Sequence, residues 1–200
     1  NYICGNPPYV GDKKQTKDQK SDMEALLGGR TKKWKSLDYV CGWFIKAADY
    51  GSNTDASTAF VATNSISQGQ QVPVLWPLLF NLGYQIFFAY NSFKWSNLAA
   101  YNAGVIVVIV GISNNPPKER KLFTLGADSN VTAITTENIS PYLAPGKSTF
   151  IEARKSPISD VSEMMLGNFA KDGGHLLLTH SELSVLDDQL KTYVRPMFGG

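Results

Sequence analysis

The chain has 200 residues, 43% of them hydrophobic and 18% charged, with a net charge of +2. That composition suits one large domain, or a domain with a small appendage, and excludes a uniformly polybasic nucleic-acid binder. Two cysteines, Cys4 and Cys41, stand in apolar surroundings far along the chain from His175 and His180. A disulfide framework and a metal site are therefore not expected, and a reducing cytoplasm fits.

Tyr2-Ile3-Cys4 reads as the end of a strand. No element, Met or signal peptide precedes it, and the last residues carry no evident cap, as expected of a segment cut from a longer polypeptide. Gly5 and the turn Asn6-Pro7-Pro8-Tyr9 follow at once. Two successive prolines forbid continued pairing, so the turn belongs at the strand's C-terminal edge. Residues 12–35 hold eight basic residues against four acidic ones. With its glycines, the stretch 11–36 reads as a long loop or partly mobile insertion, with one short helix near Asp22–Leu27.

The spacing of Tyr39, Val40, Trp43, Phe44 and Ala47 predicts a helix from Asp38 to Tyr50, capped by Ser36 or Asp38 and ended at Gly51. Thr58–Thr63 is a short buried strand. Gln70–Leu82 is a helix in which Pro73 limits the first turn, Pro77 implies a kink or late start, and Gly83 is the stop. Gln85–Tyr90 and Val105–Ile112 are strands, joined by a connection, Asn91–Gly104, too long for a tight hairpin. The longest apolar run, Val105–Val110, is far too short to span a bilayer. Asn114-Asn115-Pro116-Pro117 breaks the pattern. Lys121–Leu125 and Val131–Thr135 are weaker strands, and Ser181–Tyr193 is a helix. The order predicts an α/β fold: the second half of a Rossmann-like sheet over residues 1–115, ending in a strand pair that could be antiparallel. A smaller α+β segment would occupy residues 116–200.

The turn at Asn6 carries chemistry. An exocyclic amine on an aromatic ring is a poor nucleophile, because its lone pair is delocalised. A site that methylates it must accept both N–H hydrogens and leave the third direction open. An Asn side-chain oxygen and a neighbouring carbonyl are such acceptors. The prolines aim that carbonyl, and the Tyr offers a flat face for stacking. Ligands of open α/β sheets sit beyond the carboxyl ends of the strands, where this turn lies. Taken alone, the tetrapeptide reads equally as a polyproline ligand or an ordinary Asn-Pro turn.

Gly5-Asn6-Pro7-Pro8-Tyr9-Val10-Gly11 resembles motif IV of amino-methylating DNA methyltransferases. Further blocks are similar to one subgroup, the MmeI-like restriction-modification enzymes: Leu37–Trp43, Phe60–Val72, Leu75–Phe80, Phe93–Asn97 and Asp172–Leu178. The resemblance spans nearly the whole chain. It implies an adenine-N6 DNA methyltransferase, with the C-terminal half of its catalytic domain and the start of its target-recognition domain present here. By that resemblance Asn6 and the Pro7 carbonyl accept the adenine amino hydrogens, Pro8 stiffens the turn, and Tyr9 stacks on a flipped base. A second aromatic, Phe93 or Trp95, both expected in the loop after a strand, closes the other side, with Phe93 favoured.

The donor it implies is S-adenosyl-L-methionine. Its Gly-rich loop would lie in the remaining N-terminal part of the same polypeptide, so cofactor contact here is confined to Asn6, shared with the target pocket. Residues 1–200 alone are expected neither to bind it well nor to methylate. The partner is double-stranded DNA, and no membrane is involved. Lys13, Lys14 and Lys33 are candidate phosphate contacts, favoured slightly by Trp34 among the lysines, although a solvated loop has the same composition. Asn64-Ser65-Ile66 shares the sheet edge, and a capping loop without catalytic duty is the preferred reading there. Competing readings are RNA adenine or protein glutamine N-methylation, and a non-catalytic DNA-binding specificity module.

Overall fold

The computed structural model describes residues 1–95, 105–126, 130–154, 156–161, 173, 175 and 177–196. The chain forms two compact units, Asn1–Ala153 and Arg154–Gly200. In the first, the elements run β1 (Tyr2–Gly5), α1 (Lys17–Leu27), α2 (Val40–Gly51), β2 (Ser57–Thr63), α3 (Val72–Asn81), β3 (Gln85–Lys94), β4 (Ile106–Ser113), β5 (Arg120–Leu125) and β6 (Val131–Thr136). The six strands make one sheet in the order β1-β2-β4-β3-β5-β6.

Strand β1 is parallel to β2, and β3 is parallel to β5. Strand β4 lies antiparallel between β2 and β3, and β6 is antiparallel to β5. Four strands therefore end at one sheet edge, where β4 and β6 begin. This is the mixed α/β sheet expected, with its antiparallel strand pair. β5 and β6 extend the same sheet beyond residue 115.

The core follows the period of two along the strands. Thr58, Phe60 and Ala62 of β2 are buried, and their β4 partners Ile112, Val110 and Val108 are buried with them. This face packs on α2 and α3. The Phe44 ring meets Phe60 edge-on at 5.3 Å, and the Trp76 ring lies 6.4 Å from Phe44. Burying each such side chain contributes roughly 1.5–3 kcal/mol. The Trp76 indole N–H reaches the Ile66 carbonyl at 2.6 Å, which satisfies its one polar atom.

Helix α3 starts at Val72, with Pro73 in the first turn, where an N–H has no helical partner anyway. Pro77 stands inside the helix. Gly83, at φ +82°, follows the helix end as expected.

Two expectations about residues 11–36 need correction. The stretch 11–36 is not a loop. Its centre is the 11-residue helix α1, opened by a capping box in which the Thr16 hydroxyl accepts from the Gln19 N–H and the Gln19 side chain accepts from the Thr16 N–H. Met23 and Leu27, one turn apart, are buried on the core side; the polar run Lys17–Asp22 before them hid that short apolar stripe. Trp34, read as a hint of DNA contact, is only 7% exposed and belongs to the core. Lys35 sits over its ring, 5.4 Å from the centroid.

Helix α2 begins at Val40, and of its two expected caps Asp38 is the one used: its Oδ1 accepts the Val40 N–H. Trp43 is 41% exposed, on the rim of a cleft between α1 and α2 that Asp22, Met23 and Lys46 also line. In the second unit, the helix expected at 181–193 is broken into α4 (His180–Val185) and α5 (Asp188–Lys191). Each has its own cap, Thr179 and Asp187. Asp187 prefers capping to helix interior, so it splits the run. Among the described residues no helix is long and apolar enough to cross a membrane.

Candidate active site

Asn6–Tyr9 leaves β1 directly at the sheet edge where β2 and β3 also end, in irregular backbone. Asn6 is exposed, Pro7 is buried, Pro8 is exposed, and Tyr9 is half-buried against the core. Buried Pro7 anchors the turn, so its exposed neighbour Asn6 is presented rather than free to wander. The exposed Asn6 side chain carries both an acceptor oxygen and donor hydrogens.

The residue after Tyr9 is held on both sides. The Val10 N–H donates to Asp38 Oδ1 at 2.9 Å. The Val10 carbonyl accepts from the Tyr39 N–H at 3.1 Å and from Gln15 Nε2 at 3.1 Å. Gln15 is itself buried and spends its other amide hydrogen on the Leu37 carbonyl at 2.9 Å.

Asp38 is only 3% exposed. Its Oδ1 also accepts the Val40 N–H at 3.1 Å, and its Oδ2 accepts the Thr63 hydroxyl at 3.2 Å. Thr63 in turn shares a 2.6 Å hydrogen bond with Ser65. The Asp38 N–H donates to Gln71 Oε1, which also accepts from the Cys41 thiol. One network thus ties the motif loop to the starts of α2 and α3 and the end of β2. Burial pushes the Asp38 carboxyl above the ordinary carboxylate range, against the lowering pull of the Val40 and Val10 N–H groups and the Thr63 hydroxyl; nearby Asp12 adds to the rise. Burial likewise pushes the Cys41 thiol well up, with the Asp38 charge adding to it, so Cys41 is a packing residue rather than a nucleophile.

Phe93 is not in a loop. It lies in β3, opposite Val107 of β4, which in turn pairs with Thr63 of β2. Between Tyr90 and Phe93 the register shifts, so β3 advances three residues while β4 advances two. That extra residue puts Phe93 on the same face as Tyr90, where an unbroken strand would have sent it to the helix side. Trp95 continues the ladder, its N–H donating to the Val105 carbonyl at 2.9 Å. Both rings are half-buried and touch, with centroids 6.3 Å apart and planes tilted by 43°. Ser96 and Asn97 of that sequence block lie outside the described residues, as do Asp172, Gly174 and Leu176 of the later one.

Asn64–Ser67 forms one 3-10 turn, with Ile66 and Ser67 buried. Lys13 and Lys14 occupy a 3-10 turn straight after the motif, and both are exposed. Exposed Lys33 lies instead on a cleft of about 620 Å³, with Lys35, Gln70 and Tyr142, so the structure does not group it with Lys13 and Lys14.

Residues 1–124 match the family model of the MmeI DNA-methyltransferase domain. The chain belongs to the MmeI DNA-methyltransferase family. Residues 145–200 match the MmeI target recognition domain. DNA methyltransferase A of Bacillus subtilis (strain 168) is 48% identical over 181 residues, 90% of this chain and 20% of that protein. The solved structure of the Type IIL restriction-modification enzyme MmeI in complex with DNA superposes with a TM-score of 0.84 at 39% identity, over 96% of this chain and 25% of that one. The chain therefore spans about a quarter or less of the length of these two relatives.

The sequence pointed to the motif but missed the residues that hold it. Asp38 stood out as a cap and, like Thr63 and Gln71, within a family block but with no holding role, and Gln15 not at all. Their partners lie 5 to 33 residues away, and no local pattern marks such pairs.

Proposed function

We propose that this chain is the target-base side of a DNA adenine-N6 methyltransferase in a restriction-modification system. The observation that carries the reading is the placement of Asn6-Pro7-Pro8-Tyr9 at the C-terminal end of β1, in a segment that matches the MmeI DNA-methyltransferase domain. In this reading the Asn6 side-chain oxygen and the Pro7 carbonyl accept the two amino hydrogens of adenine, which turns the nitrogen lone pair toward the donor. Tyr9 stacks on the base, and a second aromatic from the Phe93–Trp95 pair closes its other face. The base must be flipped, because the open direction of the amine is unreachable inside a duplex.

S-adenosyl-L-methionine is the donor proposed, supplying an electrophilic methyl group. An exposed Asn6 beside a buried proline fits the acceptor side of such a transfer, and the main donor-binding motif is assigned to the rest of the polypeptide. No general base is needed from this chain, since the amine can release its proton after methylation. Exposed Lys13 and Lys14 beside the motif are proposed to contact phosphates of double-stranded DNA, and Lys33 to do so from a separate patch. The methyltransferase part is proposed to end between residues 124 and 145, before the recognition domain, with the whole protein at work in the cytoplasm.

Mass spectrometry of nucleosides from DNA of cells expressing the full-length protein tests this. Wild type is expected to yield N6-methyladenine, and Asn6→Ala to reduce its formation on the order of 100-fold or more, as when an oriented acceptor or donor is removed from an active site. Modified RNA or protein glutamine with unmodified DNA adenine would sink the proposal.

A further inference from the structure

We propose that Asp38, aided by Gln15, is the positioning residue that holds the Asn6–Tyr9 motif in its reactive geometry. The inference rests on the methyltransferase reading above. A helix start needs one oxygen acceptor, which Ser, Thr, Asn or a solvated Asp supplies equally well. Here a carboxylate is instead buried to 3% exposure, an unfavourable place for a charge unless its oxygens are occupied.

Those oxygens are occupied by groups from three separate segments: Val10 after the motif, Val40 in α2 and Thr63 at the end of β2. The Val10 carbonyl is gripped from the other side by Tyr39 and Gln15. The backbone just past Tyr9 therefore cannot rotate or shift without breaking bonds in a buried site. Asn6 is fixed at the other end of the turn by β1 pairing, where Gly5 stands opposite Phe60. A four-residue motif held at both ends keeps its acceptors and its ring in register with a base. A displacement of about 1 Å at such a site can cost on the order of 100-fold in rate.

The test uses full-length protein and its own methylation sites, mapped by sequencing modified DNA from expressing cells. Asp38→Ser keeps a hydroxyl for the Val40 N–H but is too short to reach Val10 and Thr63 as well. Asp38→Asn keeps an acceptor for Val10 and Val40 and offers a donor to Thr63. Asp38→Ser is expected to melt cooperatively and to bind DNA within about threefold of wild type, while kcat falls on the order of 100-fold. Asp38→Asn should restore kcat to within about tenfold of wild type.

Wild-type kcat in Asp38→Ser would overturn the positioning role, as would a folded Asp38→Asn no better than Asp38→Ser. Should Asp38→Ser fail to fold, Gln15→Met decides from outside α2: a fall in kcat of roughly tenfold at unchanged KM supports the clamp, and wild-type kcat overturns it. A wild-type protein that makes no N6-methyladenine would overturn the underlying function as well, so the two failures are distinguishable.

Discussion

At the scale of single residues, Asp38 is where stability and function pull against each other. Its carboxyl is pushed above the ordinary carboxylate range, chiefly by burial, so folding disfavours the charged form more than the neutral one. By linkage, the stability this group contributes is fully present below its unfolded-state pKa and is lost as pH rises through the raised folded value. Asp12 opposes the charged form, and the nearby Cys41 thiol stays protonated, so neither neutralises it. Asp38→Asn, neutral at every pH, is expected to melt above wild type at pH 8. The gap should close as pH falls toward the ordinary carboxylate range. Paired thermal melts across that window check this, and a gap that widens on acidification would contradict it.

Among the elements, α1 shows how a short apolar stripe rescues a polar segment. Most of its residues are exposed and polar. Met23 and Leu27 nevertheless place it on α2, where Gly42 leaves room for the Met23 sulfur. The Tyr39 hydroxyl adds a 2.8 Å bond to Asp22. An isolated 11-residue helix is marginal in water, so its cap matters. Thr16→Ala removes one arm of the capping box and is expected to cost about 1 kcal/mol of local stability. Native-state hydrogen exchange at Lys20–Leu27 should report it as faster opening of α1; unchanged protection there would show that packing alone holds the helix. Because α1 follows Gln15, fraying at this start would also loosen the grip on Val10.

For the molecule as a whole, the sheet gathers the motif, Thr63 and the Phe93–Trp95 pair at one edge, all on the target-base side of the proposed site. This chain spans only 25% and 20% of the two relatives. Residues 1–200 by themselves are therefore expected to bind S-adenosyl-L-methionine weakly. Calorimetry should give a Kd in the high micromolar range or above, roughly 5 kcal/mol or less in binding free energy. Tight binding by this segment would contradict the assignment of the donor pocket to the rest of the polypeptide.

Sequence alone determined the local features. The Asn-Pro-Pro-Tyr turn, the short apolar strand Thr58–Thr63, the apolar run before Ile112 and the stop at Gly83 each follow from steric limits or side-chain character within a few residues. They sufficed to place a methyltransferase-like motif at a strand end in an α/β sheet. Tertiary structure decided what depends on distant partners. It inserted β4 between β2 and β3, turned Phe93 to the outer face through a bulge, and drew Trp34 and Met23 into the core. It also brought Asp38 against Val10, 28 residues away. Such contacts form only when loop closure is offset by packing of the whole sheet, so no window of the sequence contains them.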